Sequence, residues 1–221
     1  GGGNVAVGGS ALQANTTASN NTAVGYQAAY NATAGSIHAF GYQALFNTTT
    51  GFGLSAFGNQ ALKANTAGYY NVAFGELALT SNTTGIQNSS FGELALTSNT
   101  TGVNNTAVGM QALQANTTAS SNTAVGYAAG YTNITGARGT YLGTGAGYSN
   151  ATSSDDTAVG FNALYTNTGG ANTAVGSQAL TLNTTGAWNS GLGYGVLRAN
   201  TSGANNVAVG ADALQANTIG A

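Results

Sequence analysis

A glycine preceded by an apolar residue returns along this chain at a nearly constant interval, and that interval restricts the fold more than any other feature. The glycines are Gly8, Gly25, Gly41, Gly58, Gly75, Gly92, Gly109, Gly126, Gly143, Gly160, Gly176, Gly193 and Gly210. Ten of the 12 steps are 17 residues; the steps from Gly25 to Gly41 and from Gly160 to Gly176 are 16. A short fixed period is the mark of a solenoid. Helix-pair repeats need roughly 33 residues or more, so each coil must be built from strands and turns. The period predicts an all-β, parallel β-solenoid (β-roll) of 13 coils filling residues 1–221 as a single repeat domain.

The other columns follow the anchor glycine. The residue before it is always apolar, as in Val7, Val24, Phe40, Phe57, Phe74, Phe91, Val108 and Leu142. Alanine stands three after it in every coil but that of Val196, and leucine usually stands four after, as in Leu62 and Leu113. Asparagine usually follows at seven, as in Asn82 and Asn116, and glycine at ten. In the coil around Gly109, a first strand is expected over 105–109 and a second near 111–115, joined by turns at Gly109 and at the Asn-Thr-Thr-Gly type of segment. Coils rising about 4.8 Å apiece would make a rod of roughly 58 Å. Losing a strand residue would flip every side chain to the other face, so the two short coils should be shortened in a turn.

Strand alternation separates the two residues before each anchor. The larger one, Val108 and its equivalents, is expected to fill the interior, with Phe40, Phe57, Phe74 and Phe91 as a core stack. The column two before the anchor is then expected to face outward. It holds Ala6, Ala23, Ala39, Ala56, Ala73, Ala107, Ala124, Ala158, Ala174 and Ala208. An unbroken apolar stripe exceeds what a monomer usually exposes, so this column is expected to be the interface of a homotrimer. The alternative is that alanine fills a tight coil from inside. Asparagine columns should form hydrogen-bonded ladders along the axis, which also accounts for the many Asn-x-Thr triplets without glycosylation.

Three coils lack the leucine, having Ala29, Gly130 and Gly147, and all three carry tyrosine next: Tyr30, Tyr131 and Tyr148. Either the tyrosine replaces the missing core side chain, or Tyr131, Tyr148 and Tyr165 form a ligand-facing surface strip that stacks on sugars.

Chemistry is sparse. Three Lys plus Arg against five Asp plus Glu leave a net charge of −2, with no cysteine. There is no basic patch for nucleic acid, no apolar run long enough to cross a membrane and no disulfide frame. The one histidine, His38, reads as a substituted core or interface residue. Gly143-Thr-Gly-Ala-Gly147 is not followed by the Gly-Lys-Ser/Thr of a phosphate loop. Glu76 and Glu93 should stack one coil apart, and Asp155 and Asp156 lie near Arg138. Either pair is a candidate cation site, against a reading as solvated surface charge. No catalytic residues and no cofactor are expected, because a polysaccharide lyase on such a scaffold needs acids and bases clustered in a groove.

Asn-Val-Ala-Val-Gly at Asn4–Gly8 and Asn206–Gly210, with Asn-Val-Ala-Phe-Gly at Asn71–Gly75, resembles the Ser/Asn-Val-Ala-Ile-Gly repeat of the YadA-like head of trimeric autotransporter adhesins. The fuller unit Asn-Thr-Ala-Val-Gly-Tyr-Gln-Ala at Asn21–Ala28 is similar to repeats in long bacteriophage tail fibres. The resemblance spans all 13 coils. It implies a homotrimer of β-rolls, an extracellular, cell-surface or virion location, and attachment to a surface through a host glycan or protein receptor; phage and bacterial origins both stay open. The coil here is longer than in the adhesin heads. The chain begins at Gly-Gly-Gly and stops in mid-coil at Ala221, so it is expected to be a slice of a longer fibrous polypeptide. The alternative function is an ice-binding or carbohydrate-binding solenoid. Ranks of threonine on a flat face would mark the ice-binder, but strand alternation is expected to point adjacent pairs such as Thr83-Thr84 and Thr100-Thr101 to opposite faces.

Overall fold

The computed structural model describes residues 1–220 and shows a parallel β-solenoid without helices among them. The chain divides into two compact units, Gly1–Met110 and Gln111–Ala221. The first holds β1 (Val5–Val7), β2 (Thr22–Val24), β3 (Ile37–Phe40), β4 (Leu54–Phe57), β5 (Val72–Phe74), β6 (Ser89–Phe91) and β7 (Thr106–Val108). The second holds β8 (Thr123–Val125), β9 (Thr140–Leu142), β10 (Thr157–Val159), β11 (Thr173–Val175), β12 (Ser190–Leu192) and β13 (Val207–Val209). Within each unit every strand pairs in parallel with the next, alanine column against alanine column, as in Ala56↔Ala73 and Ala158↔Ala174.

Each coil has one strand, not two. The segment expected as a second strand is a chain of turns in which alternate residues are left-handed: Gln111 has φ 63° and Leu113 φ 49°, and the same pair recurs in the other coils. Left-handed leucine costs roughly 1–2 kcal/mol. Two gains offset that cost. The leucine side chain is fully buried at Leu62, Leu79, Leu113 and Leu164, and its amide still bonds to the next coil, as in Leu62 N–H to Ala78 O at 3.0 Å and Leu113 N–H to Ala129 O at 3.0 Å.

The two shortened coils keep their strand register, with Ala23↔Ala39 and Ala158↔Ala174. Their missing residue falls in the turn before the next strand. There Ser36 (φ 61°) and Ala171 (φ 57°) take the left-handed role one position early, and each still donates to the preceding coil, to Ser19 O and Ser154 O.

The strand faces are the reverse of the expectation. Ala23, Ala39, Ala56, Ala73, Ala107, Ala124, Ala158 and Ala174 are completely buried and Ala208 nearly so. Ala6, in the first strand, is exposed. The residue before the anchor points out, at 37% exposure for Val108 and 41% for Phe91. Volume is the reason. A coil this short encloses a slot one side chain deep, and leucine from the turn side already fills it, leaving room only for methyl groups from the strand. The alanine column is therefore not a surface, and a glutamate at Ala107 or Ala124 would enter the core. The phenylalanines do stack, with ring centroids 4.5 Å apart for Phe40–Phe57, 4.3 Å for Phe57–Phe74 and 5.3 Å for Phe74–Phe91. They do so on the outside.

The other half of the interior is polar. Two asparagine columns, four before and seven after the anchor, are buried. Asn99 Nδ2 donates to Asn82 Oδ1 at 2.8 Å, and Asn82 Nδ2 to Asn65 Oδ1 at 2.9 Å and to Gly85 O at 3.1 Å. In the facing column Asn88 takes Asn71 Oδ1 on its backbone N–H at 2.9 Å and gives Nδ2 to Gly102 O at 2.9 Å. Burying an amide is tolerable when its polar atoms are paired, and stacking like on like pairs them in coil after coil. Ile37 and Leu54 interrupt the column four before the anchor, Asn21 Oδ1 accepting from the Ile37 N–H at 3.1 Å, and buried Asn21 Nδ2 has no partner. The Asn-x-Thr triplets at Asn82 and Asn99 have their amides committed to this ladder.

Candidate functional site

The outward face of the sheet is the most distinctive surface. Its strands present two columns. The column before the anchor is Val, Phe or Leu; the column three before it is mostly Thr or Ser, as in Thr22, Ser55, Ser89, Thr106, Thr123, Thr140, Thr157 and Thr173. Among the described residues, no strand contains Lys, Arg, Asp or Glu. Exposure of the apolar column is 55% at Val7, 38% at Phe74, 39% at Val125 and 52% at Leu192. In the second unit Val175, Leu192, Val207 and Val209 line a shallow apolar recess of about 190 Å³. His38 is exposed on this face in β3, in register between Thr22 and Ser55.

The tyrosine strip is real and its geometry decides its use. Tyr131–Tyr148 and Tyr148–Tyr165 stack at 5.0 and 4.9 Å with planes 8° apart. Stacked along the axis, the rings cover one another's faces and leave edges and phenol oxygens at the surface. Sugars stack on ring faces, so the strip is poorly arranged for that mode. Nor are these tyrosines core replacements, since all three are half-exposed.

Two of the three missing leucines, those at Gly130 and Gly147, are replaced from another position. Tyr141 occupies the alanine column of β9 and is fully buried. Its ring lies where side chains on Gly130 and Gly147 would go; a Cβ on Gly130 would come within 2.8 Å of it. Its hydroxyl lies where a side chain on Gly139 would go and accepts a hydrogen bond from Asn150 Nδ2 at 2.8 Å. One tyrosine thus stands in for two leucines and an asparagine. The three glycines around it were the available signal in the sequence. The same exchange in miniature pairs Gly191 with Val196, whose methyl lies 2.9 Å from the would-be Cβ.

The four candidate cation ligands do not converge. Glu76 and Glu93 are exposed, Glu76 accepting from Asn59 Nδ2 at 3.3 Å. Asp155 is in a bidentate pair with Arg138 across neighbouring coils, at 2.6 and 2.8 Å, on the surface. The guanidinium holds its carboxyl below the ordinary range. No group of three or more His, Cys, Asp or Glu that suits a metal occurs among the described residues. Asp156 is buried in the asparagine column. Its Oδ2 accepts from Ser153 Oγ at 2.6 Å, Asn167 Nδ2 at 2.9 Å and Asn150 Nδ2 at 3.0 Å, and its Oδ1 from the Asn172 N–H at 2.8 Å.

Burial pushes the Asp156 carboxyl up, partly offset by those donors. A carboxyl with a raised folded-state pKa binds protons more tightly when folded. Stability is then greatest below the ordinary carboxyl range and declines as pH rises through the window up to the raised value. Asp156→Asn restores the residue found in most other coils. It is expected to remove that decline, because an amide does not titrate in this range. Thermal melts of both forms from acid to neutral pH check this.

No family model, curated protein or solved structure gives a significant match to this chain. Among the described residues no helix is long and apolar enough to cross a membrane.

Proposed function

We propose that this chain is a structural, fibre-forming segment of an extracellular or virion attachment protein, and that copies of it associate through the outward Val/Phe/Leu face. The observation that carries the reading is the exposed apolar column, repeated at every anchor on strands that bear no formal charge. Exposed apolar surface of this extent marks an interaction site. The occupant is a second copy of the same chain. A partner must offer apolar groups at the same one-per-coil spacing, and this sequence repeats that spacing in both units. The homotrimer is the assembly that the resemblance to adhesin heads supports, with receptor binding in this segment or beyond it. The interface is the column before the anchor and not the alanine column.

Phe74→Glu and Val125→Glu, both at exposed positions, are expected to leave the circular dichroism spectrum unchanged and to convert an oligomer into a monomer by light scattering. A wild-type chain that is a folded monomer at micromolar concentration would refute the reading.

One observation favours a second reading. Thr123, Thr140, Thr157 and Thr173 stand in register and outward on one sheet, each two residues from Val125, Leu142, Val159 or Val175. That is the regular hydroxyl-and-methyl array an ice-binding face requires. The paired threonines also both lie outside, because their segment is a turn: Thr84 is exposed, and Thr83 Oγ1 bonds Thr100 O at 3.1 Å. An ice-binder would be monomeric on this face and would show thermal hysteresis.

A further inference from the structure

The sheet face of the first unit carries a single titratable side chain, and it lies on the surface by which copies are proposed to associate. Across β1 to β7 the strand residues are Val, Ala, Thr, Ser, Ile, Leu and Phe except for His38. Alternation in β3 buries Ile37 and Ala39 and turns His38 outward, next to Phe40. The groups facing it from the neighbouring strands are Thr22 and Val24 on β2 and Ser55 and Phe57 on β4. None is charged or titratable. The nearest titratable residues along the chain are Tyr42 and Tyr30, both in the turns that follow the anchors.

Histidine is the side chain whose charge changes between about pH 5 and 8. As a neutral imidazole, His38 is compatible with an apolar contact. As an imidazolium it has no carboxylate to meet, since the facing surface of a second copy has none either. A two-fold contact through this face brings equivalent surfaces together. In a cyclic assembly with its axis along the coils, every copy places His38 at the same height, so the like charges gather at one level.

We propose that His38 makes the association of this face pH-dependent, copies separating as the imidazole gains its proton. The inference rests on the self-association reading above. Burying a charge without a partner is strongly unfavourable, so an imidazolium within the contact weakens the assembly. Acid does not loosen the coil through Asp156, whose contribution to stability runs the other way.

The test is sedimentation equilibrium of the wild-type chain and of His38→Thr, the residue at the equivalent place in β2, at about pH 7.5 and about pH 5. Circular dichroism at both values monitors the coil. The expected result is association of both proteins at the higher pH, wild-type association weakened about tenfold or more at the lower, and His38→Thr unaffected. Equal wild-type association at both values overturns the role of His38 and leaves the interface reading standing. So does an acid loss shared by His38→Thr. A wild-type monomer at both values overturns the interface reading and this inference with it.

Discussion

Gly126→Ala is expected to cost about 2–6 kcal/mol, the sum of an unfavourable backbone conformation and an overpacked contact. Gly126 has φ 136°, a region closed to side-chain-bearing residues, and a Cβ there would lie 2.6 Å from both the carbonyl carbon and oxygen of Gly143 in the next coil. The two effects share one origin. The chain leaves its strand at the anchor by a turn that only glycine makes comfortably, and that turn lies directly against its copy in the next coil. A loss of that size is a large part of the 5–15 kcal/mol that holds a typical domain together. Thr84→Ala, on the exposed outer turn, should stay within about 0.5 kcal/mol. Urea denaturation of the two variants beside wild type measures both.

Tyr141→Ala is expected to lose about 3–5 kcal/mol, as for other large aromatic side chains deleted from a packed core. The more discriminating result concerns its glycines. Gly130 and Gly147 have φ of 60° and 61°, close to the 49° at which Leu113 and Leu164 sit in the same column. Leucine is therefore conformationally acceptable at both positions; the tyrosine ring crowds a side chain at each, joined at Gly130 by Leu113 Cδ2 at 2.9 Å from the would-be Cβ. Gly130→Leu or Gly147→Leu alone should destabilise by about 1–3 kcal/mol through overpacking. Both together with Tyr141→Ala should restore the ordinary coil and recover most of the loss. That reversal of sign is a coupling expected only between residues in contact. Additive losses in the triple variant would show that the ring does not occupy the leucine sites.

Much of the fold was legible because repetition makes a solenoid one-dimensional. The anchor glycines located every strand, since a residue type that recurs at one phase reports the same backbone demand each time. The shortened coils had to lose their residue in a turn, and they do, because strand parity cannot absorb it. The asparagine ladder and the phenylalanine stack follow from placing identical residues one coil apart. The candidate site was less legible. The apolar stripe was anticipated, but on the alanine column, and the tyrosine strip was found without the orientation that decides what its rings can touch.

By itself the sequence determined the period, the parallel register and the ladders, all of which depend only on which residue follows which. The tertiary structure decided which side of each strand is inside. Alternation separates Ala107 from Val108 but treats the two faces alike, and hydrophobicity favours burying the larger residue. Enclosed volume reverses that choice: with Leu113 already in the slot, only a methyl group fits opposite it. Volume is also why asparagine is buried, its amides paired with those above and below, and why Tyr141 lies inside while Tyr148 lies outside. Those outcomes depend on the space that remains after the backbone has closed its turn, and no single coil's sequence contains that quantity.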